Sequence, residues 1–153
     1  MALEIERKYL LNSDKWRSLV VSSHPILQGY LNAQAERTVR VRIKGDEAFL
    51  TVKGKNEGIA RVEFEYSIPL LDAKQMLGFC ETSISKTRHL IHEGGLIWEI
   101  DEFDGVNKGL ILAEVELSSE FQMIQVPEWI GKEVSGEMRY YNSNLISNPY
   151  MSW

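Results

Sequence analysis

Pairs of like-charged residues, two positions apart, recur along almost the whole chain. Near the amino terminus, Glu4 and Glu6 are followed at the same spacing by Lys8. Side chains alternate between the two faces of a β-strand, so this spacing places the three charges on one face. The other acidic pairs are Glu63/Glu65, Glu99/Asp101 and Glu114/Glu116, and the basic pairs are Arg40/Arg42 and Lys86/Arg88. A sheet face that only meets water usually mixes polar residues and alternates its charges. The pattern therefore predicts strands whose charged faces share a site.

The same alternation, with turn residues between the segments, predicts eight strands and a few short helices. The strands span 3–11, 26–33, 38–44, 47–54, 59–68, 82–92, 96–103 and 110–118. Helical spacing follows Ser13 and recurs at 70–77, Pro127 begins a helical turn, and 139–146 forms a last helix. Short connections favour an antiparallel sheet or barrel in one mainly β (α+β) domain over 1–153. Closing the barrel with its charged face inward would leave the helices outside.

Composition limits the kind of protein that this chain can form. A length of 153 residues with 44% hydrophobic residues is typical of one soluble domain. The net charge of -5 argues against nucleic acid or acidic membranes as partners. Charges within the first eight residues predict no signal peptide, and no apolar run is long enough to span a membrane. The single cysteine, Cys80, fits a reducing compartment, so we expect a cytoplasmic protein.

The charge pattern predicts a site with two chemical halves. Clustered carboxylates are the oxygen ligands that a hard divalent cation needs, and Mg²⁺ commonly bridges from them to phosphate oxygens. At least six Lys and Arg residues in matching register suit an anion with many oxygens, such as a polyphosphate. The glycine-rich phosphate loops of other folds do not occur in the chain. His24, His89 and His92 do not form a zinc motif with the lone cysteine.

Several motifs follow one another in a fixed order and together resemble one family. They are Glu4-x-Glu6-x-Lys8, Gln28-Gly29-Tyr30-Leu31, Arg40-x-Arg42, Thr51-x-Lys53, Arg61-x-Glu63-x-Glu65, Lys86-Thr87-Arg88, Asp101-x-Phe103, Glu114-x-Glu116 and Arg139-Tyr140-Tyr141-Asn142. The ordered set is similar to the CYTH superfamily, the triphosphate tunnel metalloenzymes. The resemblance implies an eight-stranded antiparallel tunnel that binds a triphosphate together with Mg²⁺ or Mn²⁺.

The resemblance also implies roles for individual residues. The carboxylates expected to hold metal are Glu4, Glu6, Glu114 and Glu116, with Asp101, Glu63 and Glu65 nearby. The basic residues expected along the phosphate path are Lys8, Arg40, Arg42, Lys53, Lys86, Arg88 and Arg139. Lys8 and Tyr30 are expected to work as a pair, and Arg61 joins them as a catalytic candidate. One departure is Glu137, where the family usually carries aspartate.

The leading interpretation is a metal-dependent triphosphatase, with inorganic triphosphate as its small-molecule substrate. An adenylyl cyclase of the class IV type would use the same tunnel on ATP, but little of the chain lies outside the tunnel to form an adenine pocket. A non-catalytic polyphosphate- or nucleotide-binding module remains a second alternative, although anion binding alone does not need so many carboxylates. A purely structural barrel leaves the paired charges unexplained. The pattern indicates no particular oligomeric state.

Overall fold

The strands of the protein form one closed antiparallel barrel in a computed structural model that describes residues 2–153. The strands are β1 (Leu3–Leu11), β2 (Ser22–Asn32), β3 (Arg37–Lys44), β4 (Glu47–Gly54), β5 (Ala60–Ile68), β6 (Ser83–Glu93), β7 (Leu96–Phe103), β8 (Ile111–Glu116) and β9 (Ile130–Glu133). The helices are α1 (Leu70–Leu77) and α2 (Asn142–Leu145), with 3-10 turns at Lys15–Leu19, Gly105–Asn107, Met138–Tyr140 and Tyr150–Ser152. The predicted mainly β, eight-stranded barrel is confirmed, with β9 as an additional strand.

β1 is the strand that closes the barrel. Around the barrel the order is β5-β4-β3-β2-β6-β7-β8-β1, and β1 then pairs with β5. The closing contact is short, because only Leu3, Glu4 and Ile5 are in register with β5. Further along, β1 pairs with β8 through residues 6–10 and with β9 around Tyr9 and Leu11. The strand that begins with the acidic motif therefore contacts three others.

The barrel interior is charged over most of its length and apolar at one end. On four neighbouring strands, the inward-facing residue two positions from a charged inward residue is apolar. These apolar residues are Leu10, Ile84, Phe103 and Leu112. Ile84, Phe103 and Leu112 are buried in a cluster with Tyr140 and Leu145 from the C-terminal segment. This segment therefore closes one end of the interior with side chains that exclude water.

Tryptophans and short helices cover the outer face only in part. Trp16, Trp98 and Trp129 are buried in one cluster over β1, β6, β7 and β8. Ala73 of α1 packs on Val41 and Ala48 in a smaller cluster over β3 and β4. By contrast, the exposed fractions of Phe64 and Tyr66 on β5 are 42% and 59%. The expectation that helices cover the outer face thus holds over β3 and β4, where α1 packs, and beside Trp16 of the 3-10 turn Lys15–Leu19, but not over β5. None of the helices within residues 2–153 is long and apolar enough to cross a membrane.

Three local features differ from the sequence-based prediction. The predicted turn at Pro127 is present, since the Ile130 nitrogen donates to the Pro127 carbonyl at 3.1 Å, but it leads into β9 (Ile130–Glu133), a four-residue strand too short to show alternation. The predicted helix 139–146 is interrupted at Tyr141, whose backbone is extended (φ -72°, ψ 134°). β2 begins at Ser22 and includes Pro25, which the prediction placed in the preceding connection. Proline is tolerated there because pairing with β3 starts only at Ile26, so no bond from its nitrogen is needed on that side.

Candidate active site

A single cavity brings most of the predicted site residues together inside the barrel. Its volume is about 90 Å³. The charged side chains in its lining are Glu4, Glu6, Lys8, Arg40, Arg42, Lys53, Arg61, Lys86, Arg88 and Glu114, and Tyr30, Asn142 and Ser135 are among the polar ones. Every strand of the barrel except β7 supplies at least one of these charged or tyrosine side chains. The charged residues that alternate along the strands therefore line one common cavity.

The acidic half of the cavity lies where β1 meets β8. Lys8 is in register with Glu114 across these strands, and Glu6 is in register with Glu116. The Lys8 ammonium lies 3.6 Å from a Glu114 oxygen and donates to the Tyr140 carbonyl at 3.2 Å. Burial alone would raise the pKa of Glu114, but the neighbouring Lys8 ammonium and other cations lower it to about 2. Glu114 is therefore a carboxylate anion at neutral pH.

Glu6 lies in a less favourable electrostatic environment. Burial raises the pKa of Glu6 well above its usual value, and the charges of Glu114 and Glu4 raise it further. Glu116, directly opposite Glu6, is exposed and does not line the cavity. Like charges in direct opposition destabilise a sheet. A bound cation would convert this repulsion into attraction.

The donor set at this place fits a divalent cation that the substrate helps to bind. Mg²⁺ keeps several waters and is usually held by one or two carboxylates together with phosphate oxygens. Within residues 2–153, no group of three or more His, Cys, Asp or Glu side chains is arranged to hold a metal by itself. One or two of the carboxylates Glu6, Glu114 and Glu116 could therefore hold the cation at a time, leaving its other positions for phosphate oxygens and water.

Lys53 joins two carboxylates on the strands that close the barrel. Its ammonium lies 3.0 Å from a Glu4 oxygen and 3.1 Å from a Glu63 oxygen. Glu63 thus reaches the site through Lys53 and does not line the cavity itself. Arg61, on the same strand as Glu63, lines the cavity and donates from Nε to the Gly54 carbonyl at 2.9 Å.

Arg40 lines the cavity and also has one buried donor without a partner. One guanidinium nitrogen donates to Thr51 Oγ1 at 3.2 Å and lies 3.6 Å from a Glu65 oxygen. Its Nε is buried and has no hydrogen-bond partner among residues 2–153. A buried donor without a partner costs free energy unless a ligand supplies an acceptor. Arg40 therefore places an incompletely satisfied positive charge beside the cavity.

Asp101 is a buried anion between two cations. Its oxygens accept from Lys86 Nζ at 2.7 Å and from Arg88 Nε and Nη2 at 2.8 and 2.9 Å. Burial would raise the pKa of Asp101, but Arg88 and Lys86 hold it far below its usual range. A further Arg88 nitrogen donates to Glu99 at 3.0 Å. Asp101 therefore anchors the two cations that face the cavity, and its oxygens are already engaged.

Two amides connect the remaining cations. Gln28 is fully buried and accepts from Arg42 Nε at 2.9 Å, while its own amide nitrogen donates to the Tyr30 hydroxyl at 3.3 Å. Asn142 Oδ1 accepts from Gln28 at 3.1 Å and from Lys86 at 2.9 Å. Burial, together with nearby arginines, lowers the pKa of Arg42 to about 9. Gln28 and Asn142 both lie within the sequence motifs. Because neither is charged, the charge pattern could not identify their role.

Several predicted residues lie elsewhere or make contacts other than those expected. Lys8 and Tyr30 both line the cavity, but Tyr30 accepts from Gln28 and Lys8 donates to Tyr140, so they are not bonded to each other. Arg139 stacks on the Trp153 ring at 4.4 Å, in a groove outside this cavity. The predicted residues that do not line the cavity are Glu63, Glu65, Asp101, Glu116 and Arg139.

Comparison with known proteins places the barrel and its cavity in one family. The chain belongs to the CYTH domain family, whose sequence profile matches residues 2–150. It is 43% identical over 155 aligned positions to an inorganic triphosphatase of Acetivibrio thermocellus, covering 100% of this chain and 99% of that protein. It is 34% identical over 147 positions to an inorganic triphosphatase of Nitrosomonas europaea, covering 93% and 95%. A crystal structure of an inorganic triphosphatase matches with a TM-score of 0.67 and 32% identity over 95% of each chain.

Proposed function

We propose that this protein hydrolyses inorganic triphosphate to pyrophosphate and phosphate, with a divalent cation, Mg²⁺ or Mn²⁺, bound at the acidic side of the cavity. The observation that carries the proposal is the lining itself, which brings seven Lys and Arg side chains and three glutamates to one small cavity. A chain of phosphates offers many oxygens to such a lining, and a cation bound to it meets the carboxylates. The relatives that are named inorganic triphosphatases support the same conclusion.

The size of the cavity favours inorganic triphosphate over a nucleotide. Pockets for drug-sized ligands usually have volumes of about 300–1,000 Å³, whereas this cavity has about 90 Å³. At the end of the barrel that the C-terminal segment closes, the inward side chains are apolar and packed together. That end therefore offers no room for a base and ribose. This supports a hydrolase more than a cyclase acting on ATP.

Glu6, Glu114 and Glu116 are the residues that we propose as metal ligands, while Glu4 remains nearby in its ion pair with Lys53. A divalent cation bound there supplies positive charge to the phosphoryl oxygens and lowers the pKa of a bound water. Asp101 is not included because Lys86 and Arg88 already occupy its oxygens.

A cytoplasmic location remains a prediction.

The protein's own side chains contribute positioning and charge. Arg40 and Arg42 offer forked donors to non-bridging oxygens, and Lys8, Lys86 and Arg88 face the same cavity. In the reaction, the bond from the bridging oxygen to the terminal phosphorus breaks, and a bond from water oxygen to that phosphorus forms. The proton that water loses passes to a cavity carboxylate or to solvent. Negative charge that develops on the departing pyrophosphate is stabilised by lysines and arginines that folding has already placed there.

The direct test is phosphate release from three substrates. Purified protein with Mg²⁺ or Mn²⁺ should release phosphate from inorganic triphosphate, and kcat/KM should be at least about tenfold higher than for ATP or thiamine triphosphate. Chelation of the cation should stop the reaction. Formation of cyclic AMP and pyrophosphate from ATP as the main products would contradict the proposal and favour the cyclase. Binding of triphosphate without turnover in either metal would favour the non-catalytic module.

Replacing Arg40 by alanine should lower kcat/KM for triphosphate by at least about tenfold. The reason is the loss of one or more charge-assisted hydrogen bonds from a guanidinium that lines the cavity. Arg17→Ala is the matched control, since Arg17 pairs with Glu102 on the outer face. It should leave kcat/KM within about twofold. Equal effects of the two substitutions would mean that Arg40 does not contact the substrate.

A further inference from the structure

Gln28 is an uncharged residue that is completely buried among the cations of the cavity. Its exposed fraction is 0%, and all three of its hydrogen bonds go to side chains that line the cavity. Arg42 Nε donates to its oxygen, so the amide nitrogen must face the other way, toward Tyr30 and Asn142. The reverse orientation would set a donor against the Arg42 donor. The network therefore fixes the amide in one orientation.

Gln28 controls how two other groups present their donors. The bond to Gln28 is the one side-chain hydrogen bond that Arg42 makes among residues 2–153, so this bond alone sets the plane of its guanidinium. The remaining nitrogens of Arg42 are free to face the cavity, which it lines. The Tyr30 hydroxyl accepts from Gln28, and its own proton is therefore available to a ligand oxygen. Both groups thus have donors available to one ligand in the cavity that they line.

Asn142 extends the network to the segment that closes the barrel. Its Oδ1 accepts from both Gln28 and Lys86, which fixes its orientation by the same reasoning. The Lys86 ammonium is also held by Asp101 at 2.7 Å. Asn142 begins α2, so the position of the C-terminal segment is tied directly to a phosphate-facing cation.

We propose that Gln28, supported by Asn142, is a positioning residue that sets the orientation of Arg42 and Tyr30 toward the phosphate chain. This inference rests on the proposed function, since it specifies how the same cavity holds its substrate in the reactive geometry. The charge that attracts the substrate belongs to Arg42 and its neighbours and remains when Gln28 is removed. The directed contacts depend on Gln28. Loss of the amide should therefore affect the transition state more than ground-state binding.

The experiment compares Gln28→Leu, Arg42→Ala and the double variant in steady-state hydrolysis of triphosphate. Gln28→Leu should lower kcat by at least about tenfold while KM changes by less than about threefold. Because Gln28 acts in part through Arg42, the double variant should lose clearly less than the product of the two single losses. The matched control is Asn107→Leu, which removes another buried amide, one that accepts from the Tyr150 backbone outside this cavity. It should lower the melting temperature and leave both kinetic constants within about twofold.

The outcomes separate this inference from the proposed function. If the activity losses of the two single variants multiply in the double variant, or if kcat of Gln28→Leu is unchanged, the positioning role is overturned. Turnover by wild type would still support the proposed function. If wild type does not hydrolyse triphosphate, the function fails, and calorimetric binding of triphosphate to the same four proteins becomes the test. In a protein that only binds triphosphate, the directed contacts act on affinity, so a non-additive loss of affinity would then support positioning, and additive losses would overturn it. If Gln28→Leu does not fold, Asn142→Ala replaces it, because Asn142 is only half-buried, with the same expected separation of kcat from KM.

Discussion

Replacing Glu6 by glutamine should reduce metal-dependent hydrolysis of triphosphate by more than about 100-fold at sub-saturating Mg²⁺. Loss of groups that merely support metal ligands costs about 10–100-fold, so loss of a ligand should exceed that range. The variant should also be more stable than wild type at pH 7 when no metal is present. The reason is that burial and the charges of Glu114 and Glu4 raise the pKa of Glu6.

The sign of this stability effect follows from linkage. A carboxyl whose pKa is raised by folding favours the folded state at low pH. That contribution is lost as the pH rises from the unfolded value of about 4.3 through the raised folded pKa. In metal-free buffer, the melting temperature of Glu6→Gln should therefore exceed that of wild type at pH 7, and the difference should shrink toward pH 4. Added Mg²⁺ and triphosphate should stabilise wild type more than the variant.

Glu102→Gln is the matched control, because it makes the same substitution on the outer face of β7. Hydrogen bonds from Arg17 lower the pKa of Glu102, so this variant should be slightly less stable than wild type, the opposite sign to Glu6→Gln. Its activity should not change. Normal turnover of Glu6→Gln at limiting Mg²⁺, with a melting temperature at or below that of wild type, would remove Glu6 from the proposed metal site.

The barrel could be predicted from the sequence because its inner and outer faces carry different chemistry. Positions such as Arg40 and Arg42 alternate with buried or half-buried apolar ones such as Val41, and the turns are marked by glycine. The closing pair of β1 and β5 carries no comparable signal, since only three residue pairs define it. β9 could not be predicted for a similar reason. Its four residues are extended because β1 offers an edge there, and Gly131 allows close approach, with a Cβ placed 3.2 Å from the Leu10 carbonyl oxygen.

The candidate site could be predicted only as far as charge identifies it. The residues Glu6, Arg42 and Lys86 all line the cavity as the spacing indicates. Spacing cannot show which charges neutralise one another, and so Asp101 resembled a metal ligand although folding engages it with two cations. The position of Arg139 could not be predicted from spacing either. Its position is set by stacking on Trp153, a contact between residues that no strand period relates.

Gln28 and Thr51 lie in the ordered motifs, but the sequence did not identify what these neutral polar residues do in the site. Thr51 orients Arg40, and Gln28 orients Arg42, through single hydrogen bonds at 3.2 and 2.9 Å. Such residues are common in strands, and nothing in their period distinguishes an orienting side chain from one that faces water. They could be recognised only once the barrel had placed them beside a buried cation.

Replacing Asp101 by asparagine should destabilise the protein by about 3 kcal/mol at pH 7, the lower end of the range for removing one partner of a buried ion pair. Asparagine has nearly the same shape but leaves Lys86 and Arg88 buried without their shared anion. The loss should stay near that lower end because burial and neighbouring arginines already lower the pKa of Lys86 to about 7. Without Asp101, this pKa should fall further and Lys86 should become neutral, which removes one of the two uncompensated charges.

The pH dependence provides a second measurement of the same interaction. Arg88 and Lys86 hold the pKa of Asp101 far below its usual value, so its stabilisation is present above the unfolded pKa of about 3.9 and is lost as the pH falls further. Urea unfolding should thus show the largest difference between wild type and Asp101→Asn near pH 5 and a smaller one at pH 3. The difference should also shrink as the pH rises toward 7, because Lys86 loses its proton at a lower pH in the folded variant than in folded wild type. Asp104→Asn, which changes an exposed residue just beyond β7, should differ from wild type by less than about 0.5 kcal/mol. A loss below about 1 kcal/mol for Asp101→Asn, together with weaker Mg²⁺ binding, would instead identify Asp101 as a metal ligand and contradict its role as the anchor of Lys86 and Arg88.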